Sequence, residues 1–170
     1  YKIITTEGLP ACDYRSAIQD KSKIRNMVFE GFNKCLFEKQ KFDSCTEKDL
    51  SEILERSSDV IKWFKISNDR AKEIFSIKYH NSKTGEYSYY LPDFIVETAT
   101  GKYMIETKAE NQLDDKTVQA KKKVAVEWCQ YATNFENEHA GKEWSYLLIP
   151  DTTIVIGRSF EALVASFKEK

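Results

Sequence analysis

The chain has 170 residues, 41% apolar and 31% charged, which suits one domain with a proper core and argues against both disorder and a second full domain. A formal net charge of −1 excludes an overall basic field drawing the molecule onto nucleic acid or a membrane, so any such contact must be a local patch. No apolar run approaches a membrane span and no signal peptide is visible, so no membrane partner is expected.

Cys12, Cys35, Cys45 and Cys129 form no CxxC pair, which points to a reduced, cytoplasmic setting. His80 and His139 have no metal-ligand spacing with them, which argues against zinc. The first residue is Tyr1 rather than Met, and a piece of a longer polypeptide is expected.

In chain order, residues 1–14 read as irregular, with a short strand at Ile3 and Ile4. Ile24, Val28, Phe32 and Cys35 recur at helical spacing and predict a helix over 21–37. A second helix is expected over 46–56, with Leu50, Ile53 and Leu54 buried and Ser44 or Thr46 as N-cap. Strands follow at 60–66 and 75–79, then a turn over 81–86. Two more strands meet around Thr100-Gly101. A long helix over 114–137 should bury Val118, Ala125, Trp128, Ala132 and Phe135. Strands at 144–150 and 152–157 and a closing helix over 160–168 complete the set. The order predicts an α/β fold, a mixed central sheet with helices on both faces.

The stretch YYLPDFIVETATGKYMIETKAE, residues 89–110, places carboxylates inside apolar strands. Alternation sets Leu91, Asp93 and Ile95 on one face, and Met104, Glu106 and Lys108 on one face of the next strand. A two-residue hairpin loop pairs Asp93 with Lys108, and a four-residue loop pairs Asp93 with Glu106. A three-residue loop without a bulge would separate them. Two carboxylates on an apolar face repel each other unless a cation lies between them, and Mg2+ with its retained waters meets that need. A neighbouring lysine can orient water or neutralise developing charge. The plainer alternative is a solvated sheet face with structural ion pairs. Pro92 cannot donate to a ladder, so its strand should lie at an edge, start late or carry a bulge.

The PD of 92–93, the ETK of 106–108 and an upstream glutamate-bearing helix resemble the PD-(D/E)xK nuclease superfamily. More narrowly, KFDSCTEKDLSEILE, YLPDFIVET, KYMIETKAE, KVAVEWCQYA and WSYLLIP together resemble the C-terminal endonuclease domain of type III restriction enzyme Res subunits, over about residues 24–157. The resemblance implies a restriction-endonuclease-like fold over 41–170, with 1–40 as an N-terminal extension packed on it. It implies Asp93 and Glu106 as metal ligands, Lys108 as catalytic lysine, and Glu47 as a further ligand or water-orienting acid. Ser44-x-x-Glu47 is equally a capping box, in which Glu47 serves only the backbone.

The implied reaction is Mg2+-dependent hydrolysis of double-stranded DNA, with Mn2+ able to substitute, leaving 5′-phosphate and 3′-hydroxyl ends. The implied partners are a helicase motor in the same longer polypeptide and a modification methyltransferase subunit. The chain has no GxxxxGK[ST] loop of its own. The rival reading is an inactive nuclease fold used as a DNA-binding or coupling module. Among lesser candidates, Gln119, Lys122 and Lys123 could support a site from the long helix, and Tyr87, Tyr89 and Tyr90 could stack on bases. Glu110 could back up the acids, Glu97 reads as structural, and His80 and His139 as surface residues.

Overall fold

The structure is a computed structural model that describes residues 11–66, 74–81 and 83–169. The strand expected at Ile3 and Ile4 lies outside them. The central sheet has four strands in the order β3 (Val60–Lys65), β6 (Phe94–Thr98), β7 (Lys102–Lys108), β8 (Trp144–Pro150). β3, β6 and β7 run antiparallel in turn, and β7 and β8 are parallel. The sheet is therefore mixed. Two smaller pairs flank it: β1 (Ala11–Asp13) with β2 (Val28–Glu30), and the hairpin β4 (Ile77–Asn81) with β5 (Glu86–Tyr90).

Alternation along the strands divides the apolar residues between two cores. Phe94, Val96, Ile105, Leu147 and Ile149 face α1 (Cys45–Arg56) and α3 (Phe160–Phe167). Met104, Tyr146 and Leu148 face α2 (Lys116–Glu138), the crossover that lets parallel β8 return beside β7. Helices thus cover both faces, as expected for this restriction-endonuclease-like fold.

Helix α1 starts where Ser44 Oγ accepts a hydrogen bond from the Glu47 N–H at 3.1 Å. Its stripe of Leu50, Ile53 and Leu54 is fully buried. Pro92 is accommodated by the late start of β6 at Phe94. All four cysteines are free thiols. Among the described residues no helix is long and apolar enough to cross a membrane.

Three expected elements differ. The helix over 21–37 is instead a 3-10 turn at Lys21–Asn26 followed by β2. Gly31 at φ +88° turns the chain away, and Phe32 stacks on Tyr14 and meets Trp63 edge-on. The apolar spacing served a looped segment packed on the α1 core, not a helix face. The strand at 152–157 is a 3-10 turn, Asp151–Thr153, followed by a loop that exposes Val155 and Ile156. The free edge of β8 is met instead by the residues after the last helix, Lys168 bridging Leu147 and Glu169 N donating to Tyr146 O at 3.0 Å. On α2, Trp128 is 39% and Phe135 64% exposed, and Cys129 takes the core position instead. Trp128 packs edge-on against Trp144 at 5.1 Å, and Phe135 stacks on His139 at 4.3 Å.

Candidate active site

The β6–β7 hairpin fixes the site. Phe94 pairs with Ile105 and Glu97 with Lys102, which leaves a four-residue loop. Beyond that pair the simple register ends: Asp93 N donates at 2.9 Å to the carbonyl of Ile105, the residue already paired with Phe94. Glu106 and Lys108 share the Met104 side of β7, and Asp93, just before β6, reaches the same cleft at the end of the sheet where α1 begins.

A cleft of about 460 Å³ opens there, and Glu47, Asp93, Glu106 and Lys108 all line it, with Arg25 and Thr107 among their neighbours. The structure thus brings all four sequence-predicted residues to one cavity. Lys108 Nζ lies 3.7 Å from Glu106 Oε1. The Tyr90 hydroxyl donates to Glu106 Oε2 at 3.2 Å and contacts the Tyr146 hydroxyl at 3.3 Å. Thr107 donates twice to Asp93 Oδ2, from its N–H and its hydroxyl, each at 2.8 Å. Each acid is thereby anchored through one oxygen.

The carboxyls hold their protons unusually well. Burial, reinforced by the charge of Asp93, pushes Glu106 up to about 8, although Lys108 and Lys121 pull the other way. Burial also raises Asp93, against the Thr107 donors. Burial pushes Glu47 up to about 7, partly offset by Lys65 and reinforced by Asp93. Tyr90 and Tyr146 rise as well, first by burial and then by the charge of Glu106.

Glu47 serves a backbone cap and lines the cleft at the same time. It accepts from the Asp43 N–H at 2.7 Å, a cap one residue earlier than the usual box, and it also faces the cleft. Lys65, from β3, was missed. It is buried, 2.8 Å from Asp43 Oδ2 and 3.5 Å from Glu47 Oε2. Burial alone would lower its pKa, but Glu47 and Asp43 outweigh that and raise it. A lysine inside the apolar run VIKWFKI was the available signal. Lys121 was missed too. It lies 5.4 Å from the Tyr90 ring, has no ion pair among the described residues, and its charge reaches Glu106.

Other candidates are engaged elsewhere. Gln119 Nε2 donates to Leu113 O at 2.7 Å, and Lys122 pairs with Glu169 at 2.6 Å. Glu97 pairs with Lys142 at 2.7 Å. Glu110 accepts from the Thr152 hydroxyl at 3.0 Å, away from the acids, and both histidines are exposed.

The donor set suits one kind of metal. Among the described residues no three His, Cys, Asp or Glu side chains converge to enclose an ion. Two hard carboxylates, burdened by each other's charge and open to a cleft, fit Mg2+, which keeps waters and takes phosphate oxygens as further ligands. No thiol or imidazole reaches the cleft, so the set does not fit zinc.

Fold and cleft together match a restriction-endonuclease-like architecture, a mixed central sheet with helices on both faces and an acid-lined cleft at one end. Residues 58–134, rather less than half of the chain, match the family model described as TnsA-like endonuclease N terminal. That span contains Asp93, Glu106 and Lys108 but not Glu47, and the likeness supports endonuclease activity in general. No curated protein matches the chain.

The raised carboxyls predict how stability depends on pH. Glu106 titrates near 8 when folded and near 4.5 in an unfolded chain, so between these values the folded state holds more protons. Stability should therefore fall as pH rises from 5 to 8, by on the order of 3 kcal/mol from this group, roughly 10 °C in Tm for a chain of this size. Thermal melts in EDTA should show that slope, and Glu106→Gln should flatten it. An unchanged slope in the variant would place the proton elsewhere.

Proposed function

We propose that the domain is a metal-dependent endonuclease hydrolysing phosphodiester bonds of double-stranded DNA. The observation that carries the reading is Asp93, Glu106 and Lys108 lining one open cleft, the two acids close enough to feel each other's charge and Lys108 3.7 Å from Glu106. Asp93 and Glu106 would hold Mg2+, or Mn2+ in its place, and Glu47 would add a carboxylate from the α1 side. Bound there, the ion supplies Lewis-acid stabilisation of phosphate charge and lowers the pKa of a bound water.

The protein's own groups set the geometry. Thr107 holds one oxygen of Asp93 and Tyr90 one oxygen of Glu106, which leaves the other oxygens towards the cleft. Lys108 is placed to orient the attacking water and to neutralise charge on the phosphate as it builds up. Lys121 and Arg25 add positive charge beside the acids, where a polyanionic backbone would approach.

The finer reading makes this the nuclease part of a type III restriction subunit. A helicase motor in the same longer polypeptide and a modification methyltransferase subunit would supply translocation and recognition. It rests on the ordered sequence blocks, and the near-neutral charge of the chain agrees with recognition lying elsewhere.

The test is incubation of the chain with supercoiled plasmid and Mg2+ or Mn2+, with EDTA as control. Nicking or linearisation that requires the metal is the expected result. A chain that binds metal and DNA yet never cuts, alone or within its longer polypeptide, would support the rival reading of a coupling module.

A further inference from the structure

Hairpin β4–β5 turns one side towards α2 and leaves the other uncovered. Ile77, Tyr79, Ser88 and Tyr90 face inward, and Tyr79 and Tyr90 are buried in the α2 core. On the outer side, register sets Lys78 beside Tyr89 and His80 beside Tyr87. Both tyrosines are 67% exposed, a large area for two adjacent aromatic residues. Lys78 Nζ sits 4.3 Å from the Tyr87 ring centre, and His80 meets that ring edge-on at 5.7 Å, which steadies it. Glu86 belongs to the opposite side by alternation, so these four positions carry no carboxylate.

The hairpin is tied to the cleft from its inner side. Tyr90, the last residue of β5, hydrogen-bonds Glu106, and three residues later the chain reaches Asp93. We propose that the outer face of this hairpin, carrying Lys78, His80, Tyr87 and Tyr89, binds single-stranded DNA on the element that borders the cleft; its use beside cleavage rests on the nuclease reading of that cleft.

The chemistry favours this occupant. Positions i and i+2 of a strand are about 7 Å apart, so neighbouring bases can each meet one ring. Bases offer such faces only when unpaired, and a lysine beside the rings suits the backbone between them. The four residues include no aliphatic side chain of the kind that fills a protein interface core.

The test measures binding and cutting separately on the same proteins. Fluorescence anisotropy in EDTA would follow a short labelled oligothymidylate and a duplex of the same length. The proteins are the unaltered chain, Tyr87→Ala/Tyr89→Ala, and Tyr87→Phe/Tyr89→Phe as a control that keeps the rings. The alanine pair is expected to bind the single strand roughly tenfold or more weakly, the phenylalanine pair near normally, and the duplex to change far less. Matching circular dichroism melts would show that the fold is kept. Unchanged single-strand affinity in the alanine pair, equal loss on the duplex, or no binding by the unaltered chain would each overturn the assignment. Metal-dependent plasmid cutting, scored alongside, reports on the nuclease reading, so the two can fail independently.

Discussion

Asp93→Asn is expected to abolish metal-dependent plasmid cutting, a loss on the order of 10³-fold or more, because it removes one of the two acids that share the cleft. Lys108→Met should cost a comparable 10²- to 10³-fold for a different reason. Titration with Mn2+, followed by its electron paramagnetic signal, separates the two. Asp93→Asn should lose Mn2+ binding, whereas Lys108→Met should retain or tighten it, since a cation beside Glu106 has gone. Glu106→Gln should resemble the aspartate variant. If Asp93→Asn bound Mn2+ as well as the unaltered chain, the metal would lie elsewhere and the proposed site would fall.

The largest effect on stability is expected from a carboxylate outside the cleft. Glu55, near the end of α1, is buried and accepts four hydrogen bonds. Three come from the backbone N–H groups of Asn33, Lys34 and Cys35, at 2.9, 3.0 and 3.1 Å, and the fourth from the Trp63 indole at 2.8 Å. Segment 34–36 in turn pairs with β3, Trp63 N donating to Lys34 O and Leu36 N to Trp63 O. Glu55→Ala would leave several buried donors without an acceptor, each costing about 1–3 kcal/mol. A total of roughly 4 kcal/mol or more is a large share of the stability of any domain. Urea unfolding should show the midpoint falling sharply, and hydrogen exchange should show 33–36 opening first. A change below about 1 kcal/mol would mean that water replaces the carboxylate without loss.

How far the sequence could be read depended on whether a pattern had one structural meaning. The 3.6-residue stripe of Leu50, Ile53 and Leu54 lay behind a capping serine, and the helix followed as expected. The alternation of Met104, Glu106 and Lys108 had one meaning as well, whereas Asp93 reached the cleft from just before β6, where regular pairing ends. The spacing of Ile24, Val28, Phe32 and Cys35 had two meanings, and Gly31 at positive φ decided for a looped path. Glu55 was passed over because a buried carboxylate that serves backbone donors from a distant loop leaves no local trace. Lys65 and Lys121 were hidden likewise, since their partners come from α1 and β7, which only the folded sheet brings near. On α2, aromatic Trp128 and Phe135 suggested burial, but the core took the smaller Val118, Ala125 and Cys129.

The four-residue loop over 98–101 also bears on which relatives of this domain can survive insertion and deletion. Thr98 Oγ1 accepts from the Gly101 N–H at 3.0 Å and Thr98 N donates to Gly101 O at 2.8 Å, while Lys142 Nζ donates to Thr98 O at 2.8 Å from outside the loop. The strands on either side have both faces packed, and those faces, not the loop, hold the pairing of Glu97 with Lys102. A residue gained or lost at the turn is therefore absorbed there, and Glu106 and Lys108 keep their side of the sheet. Natural variants with altered loops should retain cleavage, whereas one residue inserted within β7 itself should abolish it.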